Sequence, residues 1–131
     1  MLIYVDTSAL LKLVKDDELE ADALRRFVDK RDPELVSSAL LAVEARRAML
    51  RNRPDGLPQV DLILNTVGLL GVSDAVIESA GRLPDPLLRS LDAIHLATAL
   101  LIRDDLEAVL TYDDRLAAAS AAHGLAVLSP A

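Results

Sequence analysis

The chain has 131 residues and a mass of 14.1 kDa, with 52% hydrophobic and 2% aromatic residues, a net charge of −7 and no cysteine. A chain of this size is expected to form one domain over residues 1–131, with a core of Leu, Val, Ile and Ala. The absence of cysteine excludes thiolate zinc sites, disulfides and a thiol nucleophile, and the acidic balance argues against a general nucleic-acid coat.

In chain order, short β-like runs fall at residues 2–5, 34–36, 70–72, 108–111 and 126–128, with helical patterns at 8–15, 19–30, 39–50, 57–68, 74–82, 87–103 and 114–123. This alternation predicts an α/β sandwich with a mostly parallel central sheet. Asp32-Pro33, Arg53-Pro54-Asp55-Gly56 and Pro84-Asp85-Pro86 mark turns, and Gly124 after His123 marks a helix C-cap. The first apolar run is broken by Asp6 and soon followed by Lys12 and Lys15, so neither a signal peptide nor a membrane span is expected, which places the chain in the cytoplasm.

Asp6 ends the first apolar run and opens Thr7-Ser8-Ala9-Leu10-Leu11, so a carboxylate stands where a buried strand passes into a helix. Three more acids recur in apolar or small-residue surroundings: Glu44, Asp92 and Asp113. Buried carboxylates require partners or a cation, and an oxygen-only pocket suits Mg²⁺ or Mn²⁺. Asp6 and Asp113 fall at the carboxyl ends of strands, where open parallel sheets collect ligands, while Glu44 and Asp92 lie on helices able to lean over the same crevice. Each acid also has an ordinary reading: Asp6 caps the following helix, Asp113 or Asp114 caps the last one, and Arg47 or Arg89 pairs with the helical acids. Thr7, Ser8 and Thr111 supply hydroxyls that orient carboxylates or serve as plain caps and strand residues.

Positive charge is local. Residues 1–55 carry ten basic residues against eleven acids, whereas residues 56–131 carry four against ten. The densest group, Arg46, Arg47, Arg51 and Arg53, follows Glu44, where it either seats a phosphodiester or forms a solvated helix face. His95 lies three residues after Asp92 and shares its helix face, but a structural role is preferred over metal ligation. Other templates fit poorly. Glycine-rich phosphate loops are absent, all three lysines lie in the first quarter where a receiver domain needs one late, and Ser8 occupies the place of the second Asp of a haloacid-dehalogenase motif.

Four blocks in order then carry a resemblance: Val5-Asp6-Thr7-Ser8-Ala9-Leu10, Glu44-x-x-Arg47, Leu88-Arg89-Ser90-Leu91-Asp92-Ala93-Ile94-His95-Leu96-Ala97, and Leu110-Thr111-Tyr112-Asp113-x-Arg115-Leu116. Nearly end to end, the chain resembles the PIN-domain ribonucleases, specifically the VapC-type toxins of toxin–antitoxin pairs. The resemblance implies a PIN-like three-layer α/β/α sandwich and a metal-dependent endoribonuclease, with Asp6, Glu44, Asp92 and Asp113 around Mg²⁺ or Mn²⁺. Asp114 stands beside the fourth acid and is an alternative to it, and Arg47, Arg89 and Arg115 are candidate phosphate anchors. It further implies a homodimer, an RNA substrate, and a small VapB-like antitoxin whose tail fills the groove and which alone contacts DNA. Tyr4, Phe27 and Tyr112 are the chain's aromatic residues, too few for base stacking to dominate, so RNA shape, backbone and arginine are expected to select the substrate. An idle PIN-like binding module and a PIN nuclease of RNA turnover outside a toxin pair are the competing expectations.

Overall fold

The computed structural model describes residues 1–15, 17 and 19–131. The described elements are β1 (Leu2–Val5), α1 (Thr7–Val14), α2 (Ala21–Arg31), β2 (Glu34–Ser38), α3 (Leu40–Asn52), a 3₁₀ turn (Pro54–Gly56), α4 (Leu57–Leu64), β3 (Val67–Leu70), α5 (Asp74–Gly81), α6 (Ser90–Leu101), β4 (Ala108–Leu110), α7 (Asp114–Ala122) and β5 (Val127–Leu128). The strands form one sheet in the order β3-β2-β1-β4-β5, and every pairing is parallel. β1 is central: Ile3 pairs with Leu35 on one side and Ala108 on the other, and Tyr4 with Val36 and Val109.

Successive strand residues point to opposite faces, and this separates two cores. Ile3, Val5, Leu35 and Leu110 pack with Leu10 of α1, Leu24 of α2, Leu41 and Met49 of α3 and Val60 and Leu64 of α4. Tyr4, Val36 and Val109 pack instead with Leu96 and Ala99 of α6, Leu116 and Ala119 of α7, and Leu125. The product is the expected three-layer α/β/α sandwich, with a sheet buried on both faces as parallel sheets are. Among the described residues, no helix is long and apolar enough to cross a membrane.

Three elements differ in their bounds from the sequence expectation. The helix expected over 57–68 ends at Leu64, and the strand expected at 70–72 is instead Val67–Leu70. Asn65 and Thr66 turn the chain, with Thr66 N and Oγ1 both donating to the Ile63 carbonyl, and Val67 then pairs with Leu35. The apolar stretch around this turn satisfies both periodicities, so tertiary pairing decides its structure. The helix expected over 87–103 is confined to Ser90–Leu101, because the two prolines hold residues 84–89 out of helical geometry and Arg89 enters with extended backbone angles.

This 84–89 segment is clasped to the end of α7, where His123 Nε2 lies 2.9 Å from Asp85 Oδ2 and Arg103 donates to the His123 carbonyl at 2.8 Å. Gly124 follows with φ +85°, a left-handed conformation. Gly124 N then bonds the Ala121 carbonyl and Leu125 N the Ser120 carbonyl, closing α7 with a paired C-terminal turn.

Candidate active site

The chain works outward from β1 in two directions, through β2 and β3 on one side and β4 and β5 on the other, so a topological switch point lies between β1 and β4. Asp6 is the first residue past β1, Thr111 the first past β4, and Asp6 N donates to the Leu110 carbonyl at 3.3 Å. Asp6 is only 4% exposed. Its Oδ1 accepts from Ala9 N at 3.0 Å and Ser8 Oγ at 2.7 Å, and its Oδ2 accepts from Thr111 Oγ1 at 2.6 Å. Asp6 therefore caps α1 and reaches across to the neighbouring strand end at once. Burial raises its pKa above the ordinary 3.8, opposed by hydrogen bonds from Thr111, Ala9 N–H and Ser8.

The same hydroxyls bind the loop after β4. Thr111 Oγ1 accepts from Asp113 N at 3.0 Å, and Ser8 Oγ accepts from Tyr112 N at 2.9 Å. Asp113 caps α7, its Oδ1 accepting from Arg115 N at 2.9 Å and Leu116 N at 3.0 Å. Asp114 begins α7 as an exposed residue, so Asp113 is the acid tied into the Thr111–Asp6 network.

Glu44 reaches the site from α3. Its Oε1 accepts from Thr7 Oγ1 at 3.0 Å and lies 2.6 Å from His95 Nε2. His95 is 2% exposed, and its other nitrogen, Nδ1, lies 2.7 Å from the Tyr4 hydroxyl, which accepts from Ser38 N at 3.1 Å. The two rings meet edge to face, with centroids 5.8 Å apart. Burial alone would raise the Glu44 pKa, but the influence of the adjoining His95 and, after it, the Thr7 hydrogen bond outweigh burial and hold the carboxyl below its usual value. Both His95 nitrogens are occupied, which leaves no lone pair for the mixed metal site weighed from its spacing to Asp92. The sequence reading missed its bond to Glu44. The available signal was an imidazole embedded in an apolar helix, a group that must find partners when buried.

Asp92 lies in the first turn of α6, with its side chain 16% exposed and Arg89 Nε 3.7 Å from Oδ2. That oxygen is buried, and among the described residues it has no hydrogen-bond partner. Burial raises the Asp92 pKa, the Asp113 charge raises it further, and Glu44 adds to the repulsion while Arg89 opposes it. Asp92 thus senses both Glu44 and Asp113, and the four acids share one end of the sheet. The expected Arg47–Glu44 pair does not form among the described residues: Arg47 is exposed. Arg46 and Arg53 pair with Asp61 and Asp17 at 2.9 and 2.8 Å.

No three His, Asp or Glu side chains among the described residues are drawn close enough to form a finished metal cage. The donor set nevertheless fits a hard cation that keeps part of its water shell and takes only one or two carboxylates directly. Asp92 Oδ2 is a buried oxygen with no hydrogen bond and only the 3.7 Å ion pair to Arg89, and among the described residues Glu44 Oε2 and Asp113 Oδ2 carry no hydrogen bond. Asp6 retains acceptor capacity, since a carboxylate offers about four positions and three donors occupy it.

Comparison with known proteins agrees with the fold. The PIN domain family model matches residues 3–122. Ribonuclease VapC35 of Mycobacterium tuberculosis is 42% identical over 132 residues, a match that covers 98% of this chain and 97% of that protein. The crystal structure of M. tuberculosis VapC20, described as a sarcin-ricin loop cleaving toxin, is 18% identical, covers 98% of this chain and 99% of its own, and has a TM-score of 0.78. VapBC2 from Rickettsia felis, crystallised with a DNA fragment from its promoter, is 11% identical over the full length of both chains, with a TM-score of 0.74. By family model and sequence identity together, the chain belongs to the PIN-domain family, among the VapC ribonucleases.

Proposed function

We propose that the chain is a Mg²⁺- or Mn²⁺-dependent endoribonuclease and the toxin of a type II toxin–antitoxin pair. What supports this reading is that Thr111 ties the Asp6 carboxylate to the Asp113 N–H past β1 and β4, while Asp92 lies within the field of Asp113 and Glu44 and keeps a buried oxygen without a hydrogen bond. The naming of the VapC35 relative as a ribonuclease supports the same activity.

A divalent cation, when bound, neutralises the carboxylates and lowers the pKa of a coordinated water. Asp92, Glu44 and Asp113 would hold it through their open oxygens, with Asp6 completing the acidic wall. Ser8 and Thr111 fix Asp6, and Thr7 fixes Glu44, so these hydroxyls orient the acids without contacting substrate. Arg89 beside Asp92, with the exposed Arg47 and Arg115, would anchor neighbouring phosphates of the RNA. Attack of water on phosphorus with departure of the 3′ oxygen leaves a 5′-phosphate and a 3′-hydroxyl. The net charge of −7 makes the RNA contact local, modest in affinity and weaker at high salt.

The partner of this reading is a small VapB-like antitoxin whose tail fills the groove, with the toxin as a homodimer in the cytoplasm and DNA contacted through the antitoxin. The R. felis VapBC2 complex, crystallised on promoter DNA, supports such an assembly.

The test is cleavage of a structured RNA by the purified chain. Wild type should cut with Mg²⁺ or Mn²⁺, fail in EDTA, and lose about 10²–10³-fold in kcat/KM as Asp6→Asn or Asp92→Asn, a loss typical of removing one electrostatic element of an active site. Equal cutting by wild type and both variants, or full activity in EDTA, contradicts the proposal.

A further inference from the structure

His95 is placed to do more than fill the core, and the direction of each hydrogen bond around it follows from its neighbours. The Ser38 N–H donates to the Tyr4 hydroxyl, so that oxygen already accepts one bond. Its single proton has one acceptor within reach among the described hydrogen bonds, His95 Nδ1 at 2.7 Å. Were Nδ1 protonated, the Tyr4 oxygen would accept twice and its own buried proton would have to leave the 2.7 Å contact for the Ser37 or Thr98 hydroxyl beside it. Burial of Tyr4 pushes its phenol well above the ordinary value, which keeps that proton in place. Nδ1 is then the acceptor, the proton of the ring sits on Nε2, and Nε2–H donates to Glu44 Oε1 at 2.6 Å.

The chain of donors runs from the end of β2 through β1 and α6 to α3: Ser38 N–H to Tyr4, Tyr4 to His95, and His95 to Glu44. Thr7 Oγ1 donates to the same Glu44 oxygen. Two donors thus occupy Oε1, while Oε2 has none among the described residues.

The geometry points to His95 as a positioning residue of the proposed nuclease site: oriented by Tyr4 at Nδ1 and bonded to Glu44 through Nε2, it immobilises one oxygen of Glu44 and leaves the other free for a hydrated divalent cation. This rests on the nuclease reading above and adds to it a specific role for a residue that touches neither substrate nor cation. Partners one step behind a metal's ligands typically account for about 10–100-fold in metal affinity or activity.

The test uses the full chain and three readouts. In metal-free wild type, long-range ¹H–¹⁵N correlation should show His95 with a bare Nδ1 and a protonated Nε2. The chain has two histidines, so His123→Asn assigns the other imidazole. Tyr4→Phe, which deletes one oxygen, should let the second tautomer appear. Mn²⁺ titration without RNA, followed by electron paramagnetic resonance, should show about 10–100-fold weaker binding in His95→Leu. His95→Gln, which returns an N–H donor near the place of Nε2, should recover part of it. In cleavage assays kcat should fall across the same series with KM unchanged, which loss of packing in a folded protein would not produce.

An Nδ1–H tautomer in wild type overturns the inference, as does wild-type Mn²⁺ affinity in folded His95→Leu. Should that variant not fold, wild-type Mn²⁺ affinity together with an unchanged tautomer in Tyr4→Phe overturns it equally. If Asp92→Asn cuts as well as wild type, the nuclease reading fails and this inference with it. If Asp92→Asn is inactive while His95→Leu binds Mn²⁺ and cuts normally, only the role of His95 fails.

Discussion

The two acids that follow strands and the two that ride on helices are held by different means. Asp6 and Asp113 are each fastened by backbone N–H groups of the helix they cap, and Thr111 links them through one hydroxyl. Glu44 is held by side chains alone, from Thr7 and His95, and the buried Asp92 Oδ2 has no hydrogen bond, only an ion pair to Arg89 at 3.7 Å. One pair is part of the scaffold; the other is poised on it. Capping and catalysis stand as alternatives for Asp6 and Asp113 when the sequence is read alone, yet one carboxylate has room for both: the cap takes Oδ1 in each, Asp113 Oδ2 carries no hydrogen bond among the described residues, and Asp6 Oδ2, which accepts from Thr111, keeps acceptor capacity.

The comparison breaks most visibly on stability. Asp6→Ala removes a helix cap and the acceptor of the buried Thr111 hydroxyl, and should cost roughly 1–3 kcal/mol, a fall of several degrees in Tm. Thr111→Val keeps the shape but deletes the link between Asp6 and Asp113, and should cost roughly 1–2 kcal/mol. Thermal melts in EDTA measure both. A Tm unchanged in Asp6→Ala would mean that the strand-end acids are no more structural than the helical ones.

Asp92→Asn should move Tm the other way. The folded-state pKa of Asp92 is raised, as is that of Asp6, so the fold binds their protons more tightly than the unfolded chain does. The resulting stabilisation is present below the ordinary 3.8 and is lost as pH rises through the raised folded values. Glu44 acts oppositely: its lowered pKa stabilises above the ordinary 4.5 and that contribution fades as pH falls through the lowered value. At neutral pH in EDTA, Asp92→Asn should therefore melt a few degrees above wild type. Its Tm should also decline less on going from acid to neutral pH. A marked loss of stability would identify Asp92 as a structural ion-pair partner of Arg89.

The smallest effect sharpens the contrast from outside. Arg47 is exposed, and Glu44 is held by His95 instead, so Arg47→Ala should leave the unfolding free energy within about 0.5 kcal/mol of wild type. If Arg47 meets a phosphate, the variant should weaken RNA binding and lower the slope of log affinity against log salt by about one. An unchanged slope removes Arg47 from the RNA contact.

What could be read from the residues follows the same division. β1, α1 and α7 are legible because local chemistry marks their ends: an apolar run halted by Asp6, a cap at Asp113, and Gly124 in the left-handed conformation. Asp6 and Asp113 were visible for that reason. β3 was misplaced because residues around Asn65 and Thr66 suit helix and strand alike, and only pairing with β2 resolves them. The setting of Glu44 was hidden more deeply. Its spacing to Arg47 suggests a helical ion pair, but its partner is His95, 51 residues away, which in turn depends on Tyr4, 91 residues from it. No local pattern announces a hydrogen bond whose donor comes from the far end of the chain.

The central claim is spatial: acids from four separate elements act on one cation. Mn²⁺ titration of the full chain without RNA tests it most directly, with Asp92→Asn on α6 and Asp113→Asn after β4 measured beside wild type. The account predicts saturable binding in wild type, weakened at least about tenfold by either substitution alone. Wild-type Mn²⁺ affinity in both variants would contradict it.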